Sequence, residues 1–213
     1  MYTPTGDRQH RQHRQHMPRN LSFRLPRDVA RLEGPLPLHD GSVIHVRAIR
    51  PDDDERLRAF HRHLSPDAIM FRFFHFLPEL PAEDAEHFTH VDYVNRMALL
   101  ATTSTSTSTD AGKAEEILGV VRYERLEDTT AEVAFVVADA WQGHGIATAL
   151  LHRLATYARA KGITTFIAIT MGSNARMIEV LRNSGFPLTT QYSEGTLEVY
   201  LDITKPPVFP GTP

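Results

Sequence analysis

The sequence predicts a single mixed α/β domain. Two observations lead there. Strand-length apolar alternations are interleaved with helical stretches that carry an apolar stripe of 3.6-residue period, and 213 residues suit one domain with a sizeable core. With 41% apolar and 23% charged residues the chain has the balance of a soluble globular protein. No apolar run approaches the roughly 20 residues that a spanning helix needs, so no membrane association is expected. The first 30 residues hold arginines but no apolar core of a secretory leader. The absence of cysteine excludes disulfides, a thiol nucleophile and any cysteine metal site, and is consistent with a cytoplasmic setting.

Taken in order, residues 1–37 read as a disordered basic arm and an extended lead-in. Residues 1–32 carry seven arginines against Asp7 and Asp28. With a formal net charge of −3 overall, a +5 arm therefore precedes a body of −8. Residues 8–16 repeat Arg-Gln-His three times and offer nothing apolar to bury, so disorder is expected. Metal binding through His10, His13 and His16, or binding of a polyanion, are the other readings of that tract. Four prolines (18, 26, 35 and 37) mark the lead-in.

Order is expected over 38–205. A turn at 39–42 opens a strand over 43–49. Pro51 and the acidic run after it suit a helix N-terminus, and Leu57, Phe60 and Leu64 follow at helical spacing. Further helices are predicted from Ser65-Pro66-Asp67 through Phe73, and over 81–90. Strands follow at 97–102, 117–123 and 131–138, the first two separated by a Ser/Thr-rich segment read as a mobile hairpin loop. A helix over 145–161 has Leu150, Leu151, Leu154, Tyr157 and Ala158 on one stripe, with Gly162 closing it. Strand 165–170, helix 174–184 (Met177, Ile178 and Leu181 inward) and strand 196–203 complete the domain before a proline-rich tail at 206–213.

Chemistry concentrates where the fourth strand feeds the long helix. Gln142-Gly143-His144-Gly145-Ile146-Ala147-Thr148 forms a glycine-bearing helix mouth. Backbone N–H groups there lack helical acceptors, and the helix dipole favours an anion, phosphate above all. The loop lacks the Gly-Lys-Ser/Thr of a Walker loop and the third glycine of a dinucleotide fingerprint.

Gln142-x-x-Gly145-x-Ala147 resembles the Gln/Arg-x-x-Gly-x-Gly/Ala motif of the GCN5-related N-acetyltransferases (GNAT). Asn174, Leu181 and Gly185-Phe186 resemble that family's second signature. Asp40-Gly41-Ser42-Val43, Ile49-Arg50-Pro51-x-Asp53, Leu64-Ser65-Pro66, Arg72-Phe73-Phe74, Val91-Asp92-Tyr93 and Met97-Ala98-Leu99 look like the acetyltransferase domain of bacterial Pat-type protein lysine acetyltransferases, over roughly 38–203. The resemblance implies a GNAT domain with a mixed, mostly antiparallel central sheet flanked by helices and splayed between the fourth and fifth of the predicted strands. It implies acetyl-CoA as cosubstrate, held by Val136, Val137, Gln142, Gly143, His144, Gly145, Ile146, Ala147, Thr148 and Asn174. Asn174 doubles as a helix N-cap.

The same resemblance makes Glu132 the general base, deprotonating an amine of pKa about 10.4. Alternation puts Glu132 with Ala134 and Val136 on one face and Val133, Phe135 and Val137 on the other, which predicts an apolar setting for the carboxylate. A backbone N–H near Val137 would polarise the thioester carbonyl. Many members place a tyrosine seven residues after the asparagine; here that position is Leu181, so the general acid is unassigned, with Tyr192 and Tyr200 candidates by type alone. Arg72-Phe73-Phe74 is expected at core and rim, and Asp92 and Glu86 as attractors of a cationic lysine. The histidines between 61 and 90 lack a zinc ligand set, and no metal is expected. The leading expectation is acetylation of a protein lysine, such as one on an acyl-CoA synthetase. Alternatives are acetylation of a small amine and an acyl-CoA-binding sensor without turnover; nucleic acid is a poor fit as partner, resting on the arm alone.

Overall fold

The computed structural model describes residues 24–38, 40–103 and 115–208. The Arg-Gln-His tract, His39, most of the Ser/Thr-rich segment and residues 209–213 of the proline-rich tail lie outside the described residues.

Among the described residues, eight strands form one sheet in the order β1-β2-β3-β4-β5-β6-β8-β7. They are β1 (Gly34–Pro37), β2 (Val43–Ala48), β3 (Arg96–Thr102), β4 (Ile117–Glu127), β5 (Thr130–Val137), β6 (Thr165–Met171), β7 (Leu188–Ser193) and β8 (Thr196–Asp202). The helices are α1 (Arg27–Ala30), α2 (Asp54–Arg62), α3 (Pro66–Phe73), α4 (Ala82–Thr89), α5 (Ile146–Ala160) and α6 (Ala175–Arg182). Every neighbouring pair of strands is antiparallel except β5–β6, whose connection carries α5 across the sheet.

β5 and β6 share three rungs only: Thr130 with Thr165, Ala131 with Phe166 and Glu132 with Ile167. Beyond them β5 stays on β4 and β6 on β8, so the sheet opens into a seam. The splay expected between the fourth and fifth predicted strands is present here, between β5 and β6.

Two cores cover the two faces. On one, Leu150, Leu151, Leu154, Tyr157 and Ala158 of α5 pack with Val133, Phe135, Phe166 and Leu201, as the stripe predicts. On the other, Leu57 and Phe60 of α2, Leu64 of the turn after it and Ile69 of α3 pack with Ile49, Leu100 and Val120. On α6 Leu181 is buried, and Met177 and Val180, both half-buried, pack against the α5-side core; Ile178, expected inward, is half-buried as well but is not among the residues packed on it.

A buried ionic cluster fixes the turn from β2 into α2. Arg47 Nη1 and Nη2 donate to the two carboxylate oxygens of Asp53, each at 2.7 Å, and Arg47 Nη2 also donates to Glu115 at 2.6 Å. Asp53 accepts from the Arg50 backbone N–H at 2.8 Å and from Arg56 at 3.0 Å. Burial alone would raise the Asp53 carboxyl, but the hydrogen bonds and charge of Arg47 outweigh it and hold it below its ordinary value.

Two departures from the sequence reading concern edges. The lead-in is not simply extended: it contains the helical turn α1, with Val29 fully buried in the main core, and the strand β1. A strand with two prolines is tolerated there because only one side of an edge strand pairs. β7 had no sequence signal, since Leu188 is its single half-buried residue and the rest are exposed.

Candidate active site

β5 ends at Val137, a short turn (Asp139–Trp141) follows, and Gln142–Gly145 leads into α5. Gly143 and Gly145 have φ +83° and +84°, a left-handed backbone that a side chain resists. A Cβ at Gly143 would meet no protein atom within 4 Å, so the loop's outer surface is left bare for whatever approaches it. Ile146 is buried and anchors the helix start; Ala147 packs on the same core, while Thr148 and His144 are half-buried.

Side chains brace this mouth. Gln142 Nε2 donates to the Val137 carbonyl at 3.0 Å, and Gln142 Oε1 accepts from Arg176 Nη1. Arg176, on the first turn of α6, thus brings a guanidinium to the glycine loop; sequence reasoning did not single it out, because only the fold joins the two helix starts. His144 Nδ1 lies 3.2 Å from Asp40 and its ring 5.9 Å from Trp141. Asp139 accepts from the Ser65 N–H (3.0 Å) and hydroxyl (2.7 Å), tying the loop to the start of α3.

The Ala138 N–H donates to Leu118 of β4 at 2.9 Å. Backbone groups alternate in direction along a strand, so those of Val137 point away from β4, into the seam. Its carbonyl is taken by Gln142; its N–H faces the gap. Asn174 sits where β6 leads into α6. It is 7% exposed, and its Oδ1 accepts from the Met177 N–H at 3.2 Å, so it is the N-cap expected. Leu181 is in the core and Tyr192 is 67% exposed on the outer edge strand. Tyr200, in register with Ile167 and so two strands from Glu132, donates to Glu198 at 2.7 Å, which holds its phenol above the ordinary value.

Glu132 shares a face with Ala134 and Val136, as alternation predicts. Its setting is not the apolar one expected. Glu132 is exposed and lines an open cavity of about 240 Å³ with Arg72, Phe88, Arg122, Glu124 and Leu126. Arg122 of β4 stands opposite Ala134 and is 7% exposed. Burial, then the neighbouring Arg72, bring its guanidinium down to about 9, so it keeps its proton at neutral pH. Burial also lowers Arg72, with the charge of Glu132 opposing. Val136 lines a smaller apolar cavity beneath α2. Asp92, expected to attract a lysine, is instead engaged locally: it accepts from the N–H groups of Val94, Asn95 and Arg96. Among the described residues no group of three or more histidines and carboxylates is placed to hold a metal ion.

The sequence profile of the acetyltransferase (GNAT) family matches residues 69–186. The crystal structure of the GNAT domain of S. lividans PAT is 36% identical over 81% of this chain and 98% of that one, with TM-score 0.73. A cAMP-binding acyltransferase from Mycobacterium smegmatis is 23% identical over 87% of this chain, which spans about half (52%) of that protein, with TM-score 0.56. A spermidine N-acetyltransferase from Vibrio cholerae, in complex with CoA and spermine, shares the fold at 14% identity and TM-score 0.57, over 76% of this chain and 96% of that one.

Proposed function

The chain belongs to the acetyltransferase (GNAT) family, and from that premise we propose that it transfers the acetyl group of acetyl-CoA to the ε-amine of a lysine in a protein. The observation that carries this reading is the seam: β5 leaves β6 after Glu132 and Ile167, beside a left-handed glycine mouth, with a carboxylate on the open face.

The residues fit acetyl-CoA. The bare surface at Gly143 and the N-terminal dipole of α5 suit its pyrophosphate, with His144, Gly145, Ile146, Ala147 and Thr148 forming the rest of that turn. Arg176 supplies a nearby cation. Val136, Val137 and Asn174 would flank the pantetheine arm. Acetyl-CoA supplies the activated thioester. Glu132 takes the proton from the approaching ammonium, directly or through one water, which frees the nitrogen lone pair. The nitrogen–carbon bond forms, the nitrogen gives up its second proton to water, the carbon–sulfur bond breaks, and the sulfur leaves as a thiolate. The Val137 N–H, which faces the seam, would donate to the oxygen on which charge develops. In this reading the reaction belongs to the cytoplasm.

A protein acceptor is favoured over a small amine because the cavity beside Glu132 is open, with Leu126 56% exposed at its rim. Free-thiol release tests the proposal, using wild type and Glu132→Gln with a lysine-bearing acyl-CoA synthetase and a panel of small amines. Protein-dependent turnover that falls by 10²-fold or more in the variant is expected of a lost general base. Turnover on small amines alone would withdraw the protein acceptor, and acetyl-CoA binding without turnover would make the chain a sensor.

A further inference from the structure

The acceptor face holds two guanidiniums that the mechanism does not use. Arg122 is 93% buried, yet among the described residues its Nη2 has no hydrogen-bond partner. Leaving such a group unpaired is costly unless something else satisfies it. Arg122 stacks on Phe88 at 4.2 Å, and Arg72 lies over Phe73 at 5.0 Å and Phe88 at 6.0 Å. Stacking holds a guanidinium plane and leaves its edge donors free, the geometry that receives a carboxylate. Glu124 and Glu132 stand exposed at the mouth of the same cavity, and among the described residues neither is in salt-bridge range of either arginine.

The register sets the reach. Arg122 is opposite Ala134, and Glu132 is two residues further along β5, so the Cα atoms of Arg122 and Glu132 are roughly 7–8 Å apart. A bare ammonium brought to Glu132 is repelled by both guanidiniums. An ammonium with an anion beside it is not, because the anion meets Arg122 and Arg72 while the nitrogen meets Glu132.

We propose that Arg122 and Arg72 form an anion subsite in the acceptor groove, selecting an amine that carries a carboxylate close by. The carboxylate is either an acidic residue flanking the target lysine or the α-carboxylate of a free amino acid. The inference rests on the amine-acetylation reading above and narrows its acceptor.

The test compares paired lysine peptides, identical except for glutamate or alanine flanks, in free-thiol release by the full chain with acetyl-CoA. Wild type should favour the acidic peptide by about tenfold or more in kcat/KM. Arg122→Gln should bring the ratio to within about twofold, and Arg122→Lys, which keeps the charge but not the fork, should fall between. Because Arg122 is buried, Arg72→Gln is the second variant, and a thermal melt reports folding for each. No preference in wild type, or a preference that survives both substitutions in folded protein, overturns the proposal. Free lysine and lysine amide separate the sources: Arg122-dependent discrimination between these two, without turnover of either peptide, keeps the subsite and withdraws the protein acceptor. If no amine turns over, the transfer reading itself fails, and calorimetric titration of the two peptides decides the subsite: tighter, Arg122-dependent binding of the acidic one upholds it, equal binding ends it.

Discussion

Replacing Asp53 by alanine should destabilise the domain well beyond an ordinary surface change. Asp53 is fully buried and receives both terminal nitrogens of Arg47, the Arg50 backbone N–H and Arg56. Its removal leaves Arg47, 5% exposed, with Glu115 as its one carboxylate partner among the described residues. Removing one member of a buried pair costs about 3–5 kcal/mol. The contacts to Glu115 at 2.9, 3.1 and 2.6 Å keep part of the compensation, which places the loss near the lower end, about 3 kcal/mol. For a chain of this size each kcal/mol lowers Tm by about 2–4 °C, so a drop of about 6–12 °C is expected. Thermal melting followed by circular dichroism at neutral pH measures it. Arg47→Met combined with Asp53→Leu should cost less than Asp53→Ala alone, because no fully buried charge is then stranded: Glu115 loses Arg47, but its side chain is 22% exposed and can take up water. A drop below about 2 °C for Asp53→Ala, or a double variant no more stable than that single one, would refute the reasoning.

The same cluster fixes the sign of an acid response. Asp53 and Glu115 are each raised by burial but lowered further by Arg47, so both sit below their ordinary values when folded. Groups of this kind stabilise above the unfolded carboxylate value, near 4, and the contribution is lost as pH falls through the lower folded values; urea midpoints should therefore decline below about pH 4, and less steeply in the Arg47→Met, Asp53→Leu variant. Gly143→Ala should cost only the left-handed backbone strain, about 1–2 kcal/mol, since its Cβ meets no protein atom. Yet it should weaken acetyl-CoA by more than tenfold, because the methyl covers the surface the phosphates need; unchanged affinity in a calorimetric titration would remove the loop from the donor site.

The fold was legible where residues announce their own burial. The stripe on α5 and the alternation of β5 follow from which side chains seek the core. β1 and β7 were not legible, because an edge strand is defined by its neighbour's hydrogen bonds and needs no apolar pattern of its own. The glycine mouth, Asn174 and Glu132 could be located because each belongs to a local motif or a strand period. Arg122 and Arg72 could not be brought together from sequence. They lie on β4 and α3, and only the packing of α4 brings Phe88 against both and gives Glu132 a cationic wall where the sequence pattern implied an apolar one. Arg176 reaches Gln142 for the same reason, through space and not through spacing.

The seam between β5 and β6 also divides the molecule's inheritance. The wall beside Glu132 is made by α3, α4 and β4, all encoded before residue 128, whereas the glycine mouth, Arg176 and Asn174 are encoded after residue 138. β5 belongs to both, lending side chains to one and the backbone of Val137 to the other, and Ser65 and Asp40 reach from the first stretch to Asp139 and His144 at the mouth. On the proposed reading, substitutions on α4 and β4 would re-aim the molecule at a new acceptor while the glycine mouth stays intact. Diversification of acceptors would then need change in one continuous stretch of the chain, and β5 is the strand least free to drift.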